Sequence, residues 1–158
     1  MKKGTTIFLK LAVILMGLPV LGLSLVGLIE LVRNPANPDY AYMLYPIVIG
    51  IYISWLPYYF ALYQAFRLLT FIDKGQAFSE LSVFALKKIK YCGIIISILF
   101  MVLLPFVFMV AEKDDAPGLI IVGMLPVFTA MVVGVFAAVL ERLLREAIDI
   151  KSLNDLTV

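Results

Sequence analysis

Apolar positions gather into four long runs separated by short polar stretches, covering roughly residues 7–32, 44–72, 91–111 and 118–140. A helix rises about 1.5 Å per residue, so about 20 residues cross a hydrocarbon core of about 30 Å. Each run is long enough. Lys10 and Glu30 interrupt only the ends of the first. The second exceeds what a core needs and must tilt, kink or project. None alternates apolar and polar residues as the strands of a membrane barrel do. Helices also satisfy their backbone hydrogen bonds internally, which lipid demands. The pattern predicts an all-α, polytopic membrane protein: four transmembrane helices in a single domain, 1–158.

Composition agrees. The chain is 63% hydrophobic and 15% charged, where soluble domains carry about 25% charge. A small core has too little interior for that excess, so lipid must solvate part of the surface. The first run, behind Lys2-Lys3, also has the outline of a cleaved signal peptide. Its apolar stretch is too long for one, and Leu28-Ile29-Glu30-Leu31 stands where a small-residue cleavage site would be. A retained anchor is expected.

Charge orients the helices. Lys2, Lys3 and Lys10 open the first. Arg67, Lys74, Lys87, Lys88 and Lys90 flank the connection between the second and third. Arg142, Arg145 and Lys151 follow the fourth. Only Arg33 and Lys113 fall on the other side. The positive-inside rule then puts both termini and the central connection, 73–90, in the cytoplasm. Short connections at 33–39 and 112–117 make consecutive helices antiparallel neighbours, so an up-down four-helix bundle is expected.

The cytoplasmic segments carry local signals. Gly75 suits a left-handed cap for the second helix. Ser79 can cap the third, and Glu80 favours its positive end. Leu81, Phe84, Ala85 and Ile89 recur at helical spacing, with Lys87, Lys88 and Lys90 as the polar counterpart. That surface can hold anionic lipid or a cytoplasmic partner, or serve only to set topology. In the tail, 141–158, Leu140, Leu143, Leu144, Ala147 and Ile148 form a stripe. Glu141–Arg145, Arg142–Glu146 and Arg145–Asp149 pair at i,i+4. A helix therefore continues beyond the membrane. From Lys151 the pattern fades, leaving Asn154, Asp155, Leu156 and Val158 as a docking peptide or as a segment tucked against the bundle.

Little chemistry appears within the membrane. There is no histidine and one cysteine, Cys92. No charged residue stands at the middle of a run, and no phosphate loop or nucleophile elbow occurs. The expected protein is not an enzyme, has no cofactor or metal site, and does not bind nucleic acid directly. Tyr45, Tyr52 and Tyr59 lie seven residues apart in the second helix. With Gln64 nearby, Tyr52 and Tyr59 either line a pocket for an amphipathic ligand or form a seam with interfacial aromatics. The prolines Pro19, Pro46, Pro57, Pro105 and Pro126 act as hinges or are compensated by neighbours. Ala130, Gly134 and Ala138 repeat at four-residue spacing, which suits close helix packing within the bundle or a homodimer face.

The stretch Phe71-Ile72-Asp73-Lys74-Gly75-Gln76-Ala77-Phe78-Ser79, followed by Leu86-Lys87-Lys88-Ile89, resembles the YoaS-like bacterial membrane proteins of unknown function. The ending from Leu144 to Lys151, then Asn154-Asp155-Leu156-Thr157-Val158, is similar to that family's tail. Ala77 and Leu153 stand where the family pattern has a proline and an acidic residue. The resemblance implies a bacterial inner-membrane protein with a cytoplasmic helix-turn-helix transcriptional regulator as partner. The expected function is a membrane tether or sensor for that regulator. The alternative is binding or export of a small molecule or lipid on the aromatic face of the second helix.

Overall fold

The computed structural model describes residues 3–33 and 38–156, and these form four helices. They are α1 (Lys3–Arg33), α2 (Pro38–Asp73), α3 (Glu80–Lys113) and α4 (Gly118–Leu156). All four are long and apolar enough to cross a membrane. Even the shortest has 31 residues, more than the roughly 20 a core requires, so polar ends project. Every helix runs through its prolines without a break.

The turns follow from local chemistry. At the end of α2, Gly75 takes φ 72°. Its N–H donates to Ile72 O at 3.2 Å and the Gln76 N–H to Phe71 O at 2.8 Å, which closes a Schellman cap. Ser79 caps α3 by accepting from the Ser82 N–H, while the Ser79 and Ser82 hydroxyls both donate to Gln76 O. The end of α3 uses the same cap with Asp115 in the left-handed position, at φ 52°. The Ala116 N–H then donates to Ala111 O at 2.8 Å.

Each helix runs antiparallel to its neighbour. Lys10 near the start of α1 bridges to Asp73 at the end of α2, and Lys90 near the start of α3 bridges to Glu141 in α4. The start of α1, the α2–α3 turn and the far end of α4 therefore share one end of the molecule. The expected closed bundle is not what forms. α1 packs on α2, α2 on α3 and α3 on α4, and among the described residues no other pair of helices meets. The result is an open row. Lipid supplies no hydrophobic force to close a ring, so helices associate only where small or polar groups fit. α1 is apolar nearly all round, and Thr6 and Ser24 are its only fully buried described residues.

The core sits on α3, which has a partner on each side. Against α4, the buried positions are Val127, Ala130, Gly134, Ala137 and Glu141. Their alternating spacing of three and four is the seam of left-handed helix packing. Ala138, expected in the stripe, lies half-buried beside the seam, and Ala137 takes its place. A strict four-residue spacing drifts off the contact line, which follows a mean of about 3.5. The closest approach is at Gly93. A Cβ there would lie 2.9 Å from Ala130 O and 3.0 Å from Gly134 Cα.

Candidate functional site

Three tyrosines of α2 face α1. Tyr52 Oη donates to Ser24 O at 2.9 Å, Tyr58 to Met16 O at 2.7 Å and Tyr59 to Gly17 O at 2.9 Å. Pro19 sits in this stretch and has no N–H to offer the Leu15 carbonyl, which loosens the ladder around it. The three hydroxyls thus tie α2 to the stretch of α1 around Pro19. Tyr52 and Trp55 also border a groove of about 380 Å³ with Val20, Leu23, Ser24 and Gly27. Tyr59 and Gln64 lie outside that groove, and Gln64 is buried. The three candidate ligand-facing residues therefore do not converge on one cavity. Each tyrosine bond is worth about 0.5–1.5 kcal/mol. Tyr52→Phe and Tyr59→Phe should each lower the thermal midpoint in mild detergent, and the double change should do so additively. Unaltered unfolding in both single variants would show that α1 is held by something else.

Charge concentrates at the shared end. Lys10 Nζ reaches Asp73 Oδ2 at 3.2 Å and lies 5.1 Å from the Phe66 ring centroid. The other oxygen of Asp73 is buried with no hydrogen-bond partner. Lys90 Nζ reaches Glu141 Oε2 at 2.9 Å, and Arg145 Nε lies 3.8 Å from Oε1 of the same carboxylate. Glu141 is only 8% exposed. Arg67 lies over Tyr63 and Phe71, Lys88 over Phe60 and Phe84, and Lys90 over Tyr91. A band of cations resting on aromatic rings therefore rims this end.

Helical spacing alone placed Glu141 in a surface pair with Arg145. That pair forms, but the carboxylate's main partner is Lys90 on α3. The signal for this was available: an acid continues the three-four seam of α4. Arg145 turns back to Glu141, and the expected Arg145–Asp149 pair is absent among the described residues. Arg142 pairs with Glu146 at 3.6 Å.

The first turns of α3 split the apolar stripe read from spacing. Ser82, Val83, Ala85 and Leu86 point inward, while Leu81 and Phe84 are exposed with Phe78. Those three apolar side chains suit the membrane interface, where a half-apolar surface is at home. Lys87 and Lys88 are half-buried on this stretch. Asn154, Asp155 and Leu156 form the last exposed turn of α4, which stays helical where the sequence pattern faded. Val158 lies outside the described residues. Ile150, Leu153 and Leu156 are 67%, 62% and 80% exposed on that helix. Among the described residues no three His, Cys, Asp or Glu side chains gather as a metal set would require.

The family described as "Protein of unknown function (DUF2975)" matches residues 30–158, from the last turn of α1 onward. The "Uncharacterized membrane protein YoaS" of Bacillus subtilis (strain 168) is 51% identical over 160 residues, covering all of both chains. No solved structure matches. With four helices built to cross a bilayer and a full-length relative that is a membrane protein, this chain is a membrane protein and belongs to the DUF2975 family.

Proposed function

We propose that the protein lies in the bacterial cytoplasmic membrane with its basic end inside, and acts there, without catalysis, as a docking platform for a soluble regulatory protein. Orientation rests on the bias of Lys and Arg toward the shared end. The observation that carries the docking role is the far part of α4. This helix has 39 residues, so at about 1.5 Å each it is about 58 Å long, nearly twice a hydrocarbon core. If the span begins at Gly118, the part from Glu141 to Leu156 stands in water. There Ile150, Leu153 and Leu156 are left uncovered. Covering a leucine contributes about 1.5–3 kcal/mol, so this strip favours a partner helix laid against it. Ile150 and Leu156 of this strip belong to the stretches that resemble the family's tail, while Leu153 departs from them, and the resemblance names a helix-turn-helix regulator as the partner class, by analogy.

A photocrosslinking residue in place of Leu153, in native membranes, should capture a soluble regulator. Purified regulator should then bind the protein in nanodiscs, and Ile150→Asp with Leu156→Asp should weaken that binding at least about tenfold. Crosslinks confined to this chain and to lipid, or regulator binding untouched by the two aspartates, would overturn the proposal. The alternative, a small-molecule site on the aromatic face of α2, draws on the groove beside Tyr52. The Tyr52 hydroxyl is already bonded to Ser24 O, which leaves that groove poorly equipped to hold a polar ligand.

A further inference from the structure

The other basic residues at the shared end help explain Lys88. Lys10 and Lys90 are each matched to a carboxylate, Asp73 and Glu141. Lys88 bridges to no carboxylate among the described residues. Its Nζ is instead held between two rings, 5.5 Å from the Phe60 centroid on α2 and 5.3 Å from that of Phe84, one turn earlier on α3. Lys88, half-buried as a residue and without a carboxylate beside it, is placed to receive an anion.

A groove runs from Lys88 into the membrane. Leu56, Pro57 and Phe60 of α2 form one wall, and Lys88, Tyr91, Cys92 and Ile95 of α3 form the other, around an open groove of about 390 Å³. Apart from the Lys88 ammonium and the Tyr91 hydroxyl, its lining side chains are apolar. From Lys88 to Ile95 the helix advances about 10 Å, directed away from the charged end. Phe78, Leu81 and Phe84 are exposed just before it, at the level where a chain enters the interface. The site is thus a dry slot with one cation at its water-facing mouth. That is the pattern of an acyl chain joined to a phosphate.

We propose that this groove binds an anionic phospholipid, one acyl chain lying along Leu56, Cys92 and Ile95 and the headgroup phosphate meeting Lys88. The groove between α3 and α4, beneath Lys90, differs because Glu141 already neutralises its cation. The proposal does not depend on the docking role of α4, since the two sites share no residue.

The test uses lipid-quenched fluorescence of the full chain in bilayers. Trp55 is the only tryptophan, so Trp55→Phe with Ile95→Trp places one indole at the groove. Quenching by dibrominated phosphatidylglycerol and by dibrominated phosphatidylcholine then gives their relative affinities. A preference of about fivefold for the anionic lipid is expected, the usual effect of one interfacial lysine. It should fall to about one in Lys88→Gln and stay unchanged in Lys87→Gln. No preference, a preference that survives Lys88→Gln, or an equal loss in Lys87→Gln would each overturn the site, the last by showing diffuse surface charge. Leu56→Trp on the opposite wall serves as the reporter if Ile95→Trp does not fold. Crosslinking of a soluble regulator at α4 is unaffected by these outcomes, so the two proposals fail separately.

Discussion

Replacing Gly93 with leucine is expected to part α3 from α4 and to remove most of the folded protein recoverable in mild detergent. The reason is what surrounds that glycine. A Cβ there would meet Ala130 O at 2.9 Å and Gly134 N and Cα at 3.0 Å, all of them backbone atoms. Backbone cannot rotate aside as a side-chain tip can. Gly50 makes the contrast, because an added Cβ there would meet the tips of Leu103 at 2.5 and 2.6 Å, which can swing away. Gly93→Ala should cost about 1–3 kcal/mol through overpacking, and leucine more. Gly134 sits across the same crossing, yet a Cβ on it would meet its neighbours at 3.5–3.7 Å, ordinary contact. Gly134→Ala should therefore be nearly neutral, helped by the better helix propensity of alanine. Thermal unfolding followed by circular dichroism checks the pair. Equal damage from the two alanines would contradict the crossing described.

The second large effect is expected at Glu141. Glu141→Ala removes the acceptor of Lys90 and of Arg145 and leaves an ammonium partly enclosed between α3 and α4. Breaking a fully buried pair costs about 3–5 kcal/mol. Lys90 keeps some exposure and can extend its head toward water, so a loss of about 2 kcal/mol is expected. The combination Lys90→Met with Glu141→Leu should recover most of it, since an apolar pair there leaves no buried charge unmatched and Arg145, half-exposed, returns to water. A double-mutant cycle on unfolding free energy measures the coupling. Additive losses would mean that the two residues act independently.

The helices and their turns are legible in the sequence because their causes are local. Hydropathy over about 20 residues marks a span, and Gly75 and Ser79 mark a cap and a start whatever lies nearby. The order of packing is not legible in this way. An open row and a closed bundle have the same apolar runs and the same short connections. What separates them is which small and polar groups meet, and those groups are far apart in sequence. Ser97 donates to Val127 O, and Gly93 fits against Gly134. Glu141 shows a related limit. Its neighbours at i+4 offer a sufficient local explanation, and Lys90 is out of view. Spacing puts Tyr52 and Tyr59 on one face, but only the position of α1 shows that their hydroxyls end on its carbonyls. Of the stripe Leu81, Phe84, Ala85 and Ile89 that spacing picks out, only Ala85 is buried, beside Ser82, while Leu81 and Phe84 stay exposed.

The row also bears on how the chain is made. Among the described residues each helix docks only on the one synthesised just before it. Among those residues no helix waits for any but a sequential neighbour, so helix pairs can form in the order in which they are made. A hairpin of α1 and α2 can settle while α3 is still leaving the ribosome, and α3 then receives α4 on its free side. The Gly93 crossing and the Lys90–Glu141 bridge are the last of these dockings. Defects there should strand a protein whose first three helices are already inserted and paired.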